Sequence, residues 1–279
     1  MAREEFLKTL QRELAADDAD SENLRHRYER RILAMYRNFA GQLANAIKEP
    51  GVYRGERVQI ERVITIIDNL TPMLRAGGFN DFIVDYMQDL TELGNKALNY
   101  FRHFVSLDDL IGLTDEDKAV MRSLARGYRK AIGRQVDQGL ISPIEQALNS
   151  GAAGGLSREQ MIDSLLTTAG GLTPFRLITL TTDSQRNFHQ AVRIAQAEVL
   201  DMKIVLYQGP LDSITSAQCE FLRTQGRHGI PNGWLKTEVT ASRHNDLRGD
   251  PLIERGHPNC RHNWWPVTNE VAEGLGWHG

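Results

Sequence analysis

The sequence predicts a mainly α-helical protein, with a helical N-terminal domain followed by a small, loop-rich α+β C-terminal domain. In the first half, apolar residues recur every three or four positions, which is the period of helices with one buried face. Beyond residue 200 this period is lost, and frequent glycines and prolines surround one clear strand candidate, residues 203–207. With 279 residues, 41% of them hydrophobic, the chain is long enough for two domains.

The first strong helix signal is a single apolar stripe. It is followed by Glu49-Pro50-Gly51, which predicts the end of the helix. Residues 1–20 are acidic and have a weaker stripe (Phe6, Leu7, Leu10 and Leu14), so we expect an arm or a terminal helix there. The main stripe consists of Leu24, Tyr28, Ile32, Met35, Phe39, Leu43 and Ile47.

Further helices are predicted along the rest of the first 150 residues. Gly77-Gly78 separates a helix over about 56–75 from one over about 80–104. Thr114 followed by Asp117 is an acidic variant of the capping box and predicts the start of another helix. The sequence therefore predicts a helical domain over residues 1–150.

A change in composition follows at residues 149–156, where small residues and glycines replace the helical pattern and predict a linker or hinge. Ser157 and Gln160 form a capping box for a short helix, and a long helix is predicted from Thr173 to Asp201. We therefore divide the chain into a helical domain (1–150), a hinge with a short helix (151–172) and a C-terminal domain (173–279).

Charge and motifs limit the classes of function. The net charge of −3 argues against indiscriminate binding of polyanions, and the two cysteines argue against a disulfide scaffold. The sequence has no signal-peptide pattern and no run of 18 apolar residues, so we expect synthesis in the cytoplasm and no membrane insertion. Phosphate loops, dinucleotide fingerprints and nucleophile elbows are also missing, and we expect the protein not to be an enzyme.

One predicted helix carries a row of basic residues at helical spacing, with no acidic residue between them. Such a face suits an acidic partner or packaged DNA, whose phosphates attract arginine without sequence readout. The alternative is a solvated surface with no partner. The row consists of Arg122, Arg126, Arg129, Lys130 and Arg134.

The chemically richest stretch is 256–266, which contains two histidines, a cysteine and two tryptophans between prolines. Pro258 excludes an ordinary helix. Cys260 and His262 share a side of an extended backbone, and His257 can approach from the preceding turn. These three side chains are candidate ligands for one tetrahedral metal ion such as zinc.

The chain's other cysteine, Cys219, is the natural fourth ligand. The usual Cys-x-x-Cys half-site is missing because Leu222 occupies the second position, and His228 and His244 are competing donors. One alternative is that both cysteines are small buried hydrophobic residues. Another is a disulfide between Cys219 and Cys260.

The tryptophans near this stretch allow two interpretations. Trp264, Trp265 and Trp277 are either docking anchors for a partner or the core of a small subdomain. For the adjacent pair we expect one buried and one partly exposed ring, because neighbours on a strand face opposite ways.

Three segments together resemble the Mu F-like head morphogenesis family, the minor head proteins of tailed bacteriophages. They are the helix-like run 182–187, the segment 212–219 that ends in Cys219, and His257-Pro258-Asn259-Cys260-Arg261-His262. The resemblance covers about residues 173–268. Leu222 and His262 stand where the family pattern has cysteines. If the family site binds metal, the resemblance implies a zinc site made of Cys219, His257, Cys260 and His262.

The resemblance implies a structural protein in the capsid interior at the portal vertex, in several copies around the portal ring. The implied partners are the portal protein, the major capsid protein and packaged DNA, and the implied roles are head morphogenesis, DNA packaging or DNA ejection. We expect residues 1–150 to make the main contact with the portal, although docking through the tryptophans is the alternative. The competing class is a metal-dependent nuclease using His244-Asn245, His257 and His262-Asn263, but the sequence between these histidines lacks the helix that such nucleases require.

Overall fold

A computed structural model gives the fold, which is mainly α-helical with one small antiparallel sheet in the C-terminal part, as predicted. In the part of the chain that the structure describes, no helix is both long and apolar enough to cross a membrane. The described residues are 3–49, 51–54, 57–102, 114–169, 173–209, 213, 215–241, 250–253 and 260–278.

Helix α1 (Arg3–Lys48) contains the predicted apolar stripe. From Tyr28 to Ile47 every member of that stripe is buried, so the period of three to four residues does mark the core face. Residues 3–20 belong to the same helix, which agrees with the terminal helix that was one of the two expectations for this segment. The side chains of its weaker apolar stripe lie outside the described residues.

A short hairpin, β1 (Tyr53–Arg54) and β2 (Arg57–Val58), follows α1 and was not foreseen from the sequence. The helix predicted over 56–75 is divided into α2 (Ile60–Asp68) and α3 (Leu70–Leu74). A π-helical stretch, Arg75–Phe79, then leads directly into α4 (Asn80–Phe101). The predicted break lies within that stretch, where Gly78 has φ +109°, a value that favours glycine.

Both predicted capping boxes are present. Thr114 Oγ1 accepts from Asp117 N at 3.1 Å and begins α5 (Asp115–Val136). Gln160 N donates to Ser157 Oγ at 3.3 Å and begins α7 (Arg158–Ala169). A second π-helical stretch, Asp137–Ile141, and α6 (Ser142–Gly154) lie between them.

The predicted linker around residues 149–156 is mostly helical in the structure. Residues 151–154 form the last turn of α6, and Gly155 ends the helix in a left-handed conformation with φ +64°. Gly151 is buried, and a Cβ at this position would meet the Met161 side chain at 2.7 Å. Gly151 therefore lies in the close packing of α6 on α7, which its low helix propensity alone does not reveal.

The C-terminal elements begin with α8 (Thr173–Val199), close to the predicted range. The described chain forms two compact units that do not follow the boundaries predicted at 150 and 173. One unit comprises Arg25–Gln88 and Gly127–Thr181, and the other comprises Met1–Leu24, Asp89–Arg126 and Thr182–Gly279. The expected site residues from Cys219 onward belong to the second unit.

The second unit contains the three-stranded antiparallel sheet with strand order β4-β3-β5. Its strands are β3 (Ile204–Gln208), β4 (Gly233–Leu235) and β5 (Asn263–Val267), and three short helices accompany them. In the register of β3 with β5, Tyr207 lies opposite Trp264 and Leu206 lies opposite Trp265. The short helices are α9 (Ala217–Thr224), α10 (Lys236–Ala241) and α11 (Asn269–Gly274).

Both faces of this sheet are covered, which corrects the expectation for the adjacent tryptophans. The two rings do belong to opposite faces, yet Trp264 and Trp265 are 5% and 0% exposed. Trp265 packs with Tyr100 and Leu206, whereas Trp264 packs with Tyr207 and both cysteines. The expected half-exposed ring is wrong because a strand buried on both faces hides both sets of alternating side chains.

Glu238 at the start of α10 organises the turn that precedes β4. Its carboxylate accepts a hydrogen bond from Leu235 N at 2.9 Å and lies 3.3 Å from His228 Nε2 and 3.4 Å from Arg227 Nη1. Burial disfavours the charged carboxylate, but the bond from Leu235 and the interactions with His228 and Arg227 outweigh it. The pKa of Glu238 therefore lies below its ordinary value.

We expect Glu238→Gln to destabilise the protein at pH 7 by about 1 kcal/mol, because the amide replaces a carboxylate with three charge-assisted partners. A depressed pKa contributes stability that is present above about pH 4.3, the unfolded value of glutamate, and is lost as pH falls through the folded value. The difference between wild type and variant in urea unfolding should thus shrink under acidic conditions. Glu273→Gln, at an exposed position of α11, is the control and should change stability little at any pH.

Candidate metal centre

Cys219 is placed by the first turn of α9. Ser216 caps this helix, since its Oγ accepts a hydrogen bond from Cys219 N at 3.2 Å. The cysteine is completely buried and lies at the helix N-terminus, whose partial positive charge favours a thiolate. The cap therefore positions the sulfur. The helix N-terminus favours the thiolate, which is the form of cysteine that binds a metal.

Cys260 and His262 come from the segment that leads into β5. Two side chains of α8 hold this segment: Arg186 Nη1 donates to Cys260 O at 3.1 Å, and Gln190 Nε2 donates to Trp264 O at 2.9 Å. The two donors are four residues apart on α8, as are their two acceptors on the facing segment. One face of a helix thus fixes the backbone on both sides of the Cys-x-His pair.

The three side chains converge on one buried point. The Cys219 and Cys260 sulfurs are 3.7 Å apart, and Cys260 Sγ lies 3.8 Å from His262 Nδ1. All three donor groups lie within 4.8 Å of one another. A tetrahedral zinc ion with Zn–S bonds of about 2.3 Å places two sulfurs about 3.8 Å apart, whereas a disulfide requires about 2.05 Å. The two cysteines are therefore not joined in a disulfide here, and their spacing fits a shared zinc ion.

Packing holds the His262 ring. It stacks on the Tyr207 ring with centroids 5.2 Å apart and planes 6° apart, and Gly209 lies close to its Cγ and Cδ2 atoms. The buried Nε2 atom has no hydrogen-bond partner among the described residues. The ring is thus oriented by aromatic stacking and close backbone approach, with one nitrogen directed at Cys260.

The electrostatics of the cluster favour a metal-binding thiolate. The hydrogen bond with Cys260 lowers the pKa of the Cys219 thiol, burial opposes this, and hydrogen bonds with His262, Ser216 and Tyr207 lower it further. The net direction is well below the ordinary thiol pKa. Because the thiolate is the form of cysteine that ligates metals, Cys219 is prepared for this chemistry.

Other donors considered from the sequence are not part of the described cluster. His257 and His244 lie outside the described residues. His228 instead contacts Glu238 and the ring of Trp277. Leu222, which stands where a Cys-x-x-Cys half-site would have its second cysteine, is buried in the same apolar cluster as Cys219 and Trp234. The donor set among the described residues is therefore Cys219, Cys260 and His262.

The supporting residues were not identified from the sequence. Tyr207 and Gly209 lie at the end of β3, and Arg186 and Gln190 lie on α8, all of them remote in sequence from the Cys-x-His pair. The only available signal was the spacing of Arg186 and Gln190 by one helical turn within a long helix. Nothing in the sequence indicates which strand or segment faces that turn.

The five predicted basic residues of α5 are all exposed. Within the described residues, none of Arg122, Arg126, Arg129, Lys130 and Arg134 forms an ion pair. Among the described residues no carboxylate pairs with these charges, and an exposed row of unpaired cations attracts anionic partners.

Comparison of the whole chain with protein-family models, with curated proteins and with solved structures finds no match in any of the three.

Proposed function

We propose that this chain is a structural protein of a tailed-bacteriophage head, stabilised in its C-terminal part by a zinc ion. The observation that carries the proposal is the buried cluster of Cys219, Cys260 and His262, in which the two sulfurs are 3.7 Å apart. These residues belong to the segments that resemble the Mu F-like family. In that family's setting, the protein is a minor head protein that associates with the portal.

Zinc bound here has a structural role. The sequence around the cluster is rich in turns, and the strands that the structure describes there are three to five residues long. Small loop-rich regions of this kind gain stability from a metal that ties distant segments together. Zinc would link the start of α9 to the segment before β5, which are separated by about 40 residues. His257 is the sequence-based candidate for the remaining coordination position.

The location is tested in intact particles. We propose that several copies lie in the capsid interior at the portal vertex and contribute to head morphogenesis, DNA packaging or DNA ejection. Density for the chain at the portal vertex in images of whole particles would support this proposal. Recovery of the chain in the tail tube or on the outer capsid surface contradicts it.

A nuclease assay separates the structural proposal from the enzymatic alternative. Purified full-length protein is incubated with plasmid DNA and Mg²⁺, Mn²⁺ or Zn²⁺, and we expect the plasmid to remain intact. Robust cleavage that His257→Ala abolishes would show that the chain is a nuclease. Cleavage that survives this substitution would instead indicate a contaminating activity.

The exposed basic residues of α5 are the proposed contact with packaged DNA, an acidic protein being the other partner that suits them. Because each phosphate contact releases counterions, the affinity for mixed-sequence duplex DNA should fall steeply with salt. Replacing Arg126, Arg129 and Lys130 by glutamine is expected to reduce the slope of log K against log salt concentration by roughly 3, about one for each contact.

The matched control for this prediction removes the same charges from α1. Arg30, Arg37 and Lys48 are exposed, and their replacement by glutamine changes the net charge by the same amount. We expect the control to keep the wild-type slope in filter-binding or mobility-shift titrations. Equal losses in both variants would mean that overall charge, and not the face of α5, determines binding.

A further inference from the structure

Tyr207 lies against both sulfurs of the candidate metal centre. Its hydroxyl oxygen is 3.3 Å from Cys219 Sγ and 3.9 Å from Cys260 Sγ. The side chain is 4% exposed and is fixed on two sides, by the stack with His262 and by the Trp264 ring 4.5 Å away. Aromatic packing thus holds the hydroxyl beside the two sulfurs.

The geometry makes this hydroxyl a donor to the cluster. A tyrosine O–H can donate or accept a hydrogen bond, whereas a metal-binding cysteine is a thiolate and can only accept one. The Tyr207 oxygen lies 3.3 Å from Cys219 Sγ, within hydrogen-bond reach of a sulfur acceptor. The hydroxyl therefore has a hydrogen bond to donate to this sulfur.

We propose that Tyr207 donates a hydrogen bond to the Cys219 thiolate of the zinc centre and thereby lowers the reactivity of that sulfur. This inference rests on the zinc centre of the proposed function and assigns a role to a residue outside the ligand set. Cys219 is the acceptor because its sulfur is the nearer of the two. Tyr207 is a positioning residue that acts on the metal through its ligand.

A hydrogen bond to a metal-bound sulfur changes the reactivity of that sulfur. A hydrogen bond to a ligating sulfur draws electron density from it, so the sulfur donates less charge to the metal and attacks electrophiles more slowly. A buried structural centre benefits, because alkylation or oxidation of either thiolate would release the metal. The phenol would therefore protect the cluster chemically, in addition to packing on His262.

The test compares Tyr207→Phe with wild-type full-length protein loaded with cobalt(II), which reports on sulfur ligation by its absorption. The variant keeps the ring that stacks on His262 and loses only the hydroxyl. We expect its sulfur-to-cobalt charge-transfer band to move to lower energy, because the sulfur is then a stronger donor. We also expect zinc-loaded variant protein to react with iodoacetamide several-fold faster.

Tyr36→Phe is the matched control. Tyr36 is also buried, and its hydroxyl has no hydrogen-bond partner among the described residues. This substitution should leave both the cobalt band and the alkylation rate at their wild-type values. A similar change in both variants would show that the loss of any buried hydroxyl loosens the protein, and the role of Tyr207 would be refuted.

Two further outcomes distinguish the hydrogen bond of Tyr207 from the metal centre itself. An unchanged band and rate in Tyr207→Phe would refute the hydrogen bond while leaving the metal centre intact. Failure of the wild-type protein to bind cobalt or zinc would refute the centre itself, and the inference with it.

If Tyr207→Phe does not fold, a crystal structure of the zinc-loaded wild type tests the hydrogen bond without any variant. The Tyr207 oxygen should lie at hydrogen-bond distance from Cys219 Sγ and more than about 3 Å from zinc. A bond to zinc of about 2 Å, the length expected for an oxygen ligand, would instead make Tyr207 a ligand and overturn the inference.

Discussion

Replacing Cys260 by serine is expected to abolish stoichiometric zinc binding and to remove the dependence of thermal unfolding on zinc. The serine hydroxyl is a poor replacement for a thiolate, and loss of a direct ligand should weaken zinc binding by more than the roughly 10–100-fold that loss of an outer partner causes. Wild-type protein should contain one zinc per chain by elemental analysis. Its unfolding temperature, followed by circular dichroism, should fall when EDTA is added, whereas that of Cys260→Ser should not respond.

Val205→Thr is the control for this experiment. Val205 is buried in the same apolar cluster as Cys260, and the substitution likewise introduces a hydroxyl at nearly constant volume. It should destabilise the protein yet retain both the zinc and the response to EDTA. A wild type without zinc, whose unfolding temperature falls only under reducing agents, would favour the disulfide between Cys219 and Cys260.

The helical part of the fold could be predicted because its signals are local. The stripe from Leu24 to Ile47 repeats with the helical period, and all its members from Tyr28 onward are buried along α1. The capping boxes at Thr114 and Ser157 were recognisable for the same reason, since both partners lie within one turn. In each case the interacting groups are close in sequence, so a short segment of the chain is enough to predict the helix or its start.

The linker at 151–155 shows where local reasoning fails. Its glycines and alanines do not indicate a packing partner, whereas in the folded chain Gly151 lies against the Met161 side chain of the next helix. The burial of Trp264 depends in the same way on elements that cover the second face of the sheet, including α9 with Cys219. Both features depend on tertiary packing, which cannot be read from the pattern of residues along the chain.

Three of the four predicted ligands of the candidate metal centre lie together in the structure, whereas the residues that support them were not predicted. Cysteine and histidine are few in this chain, so Cys219, Cys260 and His262 stood out by type and spacing. Tyr207 did not stand out in the sequence, because a tyrosine in a strand of apolar residues is ordinarily a core residue. Its second role becomes visible only in the structure, where its hydroxyl lies beside two sulfurs. The residues that orient a ligand are chosen by geometry, and geometry appears only in the folded chain.

Gly209 illustrates this dependence, and we expect Gly209→Ala to destabilise the protein by about 2–3 kcal/mol, in the range of an overpacked core. A Cβ atom at this position would lie 2.4 Å from Cδ2, 2.6 Å from Cγ and 2.8 Å from Cα of His262. The ring cannot easily move away, because it is stacked on Tyr207, and the backbone atom directly precedes Asn263, which pairs with Gln208 at the start of β5. The substitution should also weaken zinc binding, since it displaces a ligand.

A double-mutant cycle with His262→Ala tests this explanation. Removing the imidazole eliminates the overlaps with Cδ2 and Cγ and leaves only the one with Cα, so Gly209→Ala should cost less in that background. Gly133→Ala is the control for the glycine change itself: its added Cβ has open space, and because Gly133 is helical in α5 the change should stabilise the protein by roughly 0.5–1 kcal/mol. Urea unfolding of the four cycle members gives the coupling. An equal cost of Gly209→Ala in both backgrounds would mean that Gly209 is required by the backbone alone, and that the His262 ring does not depend on it.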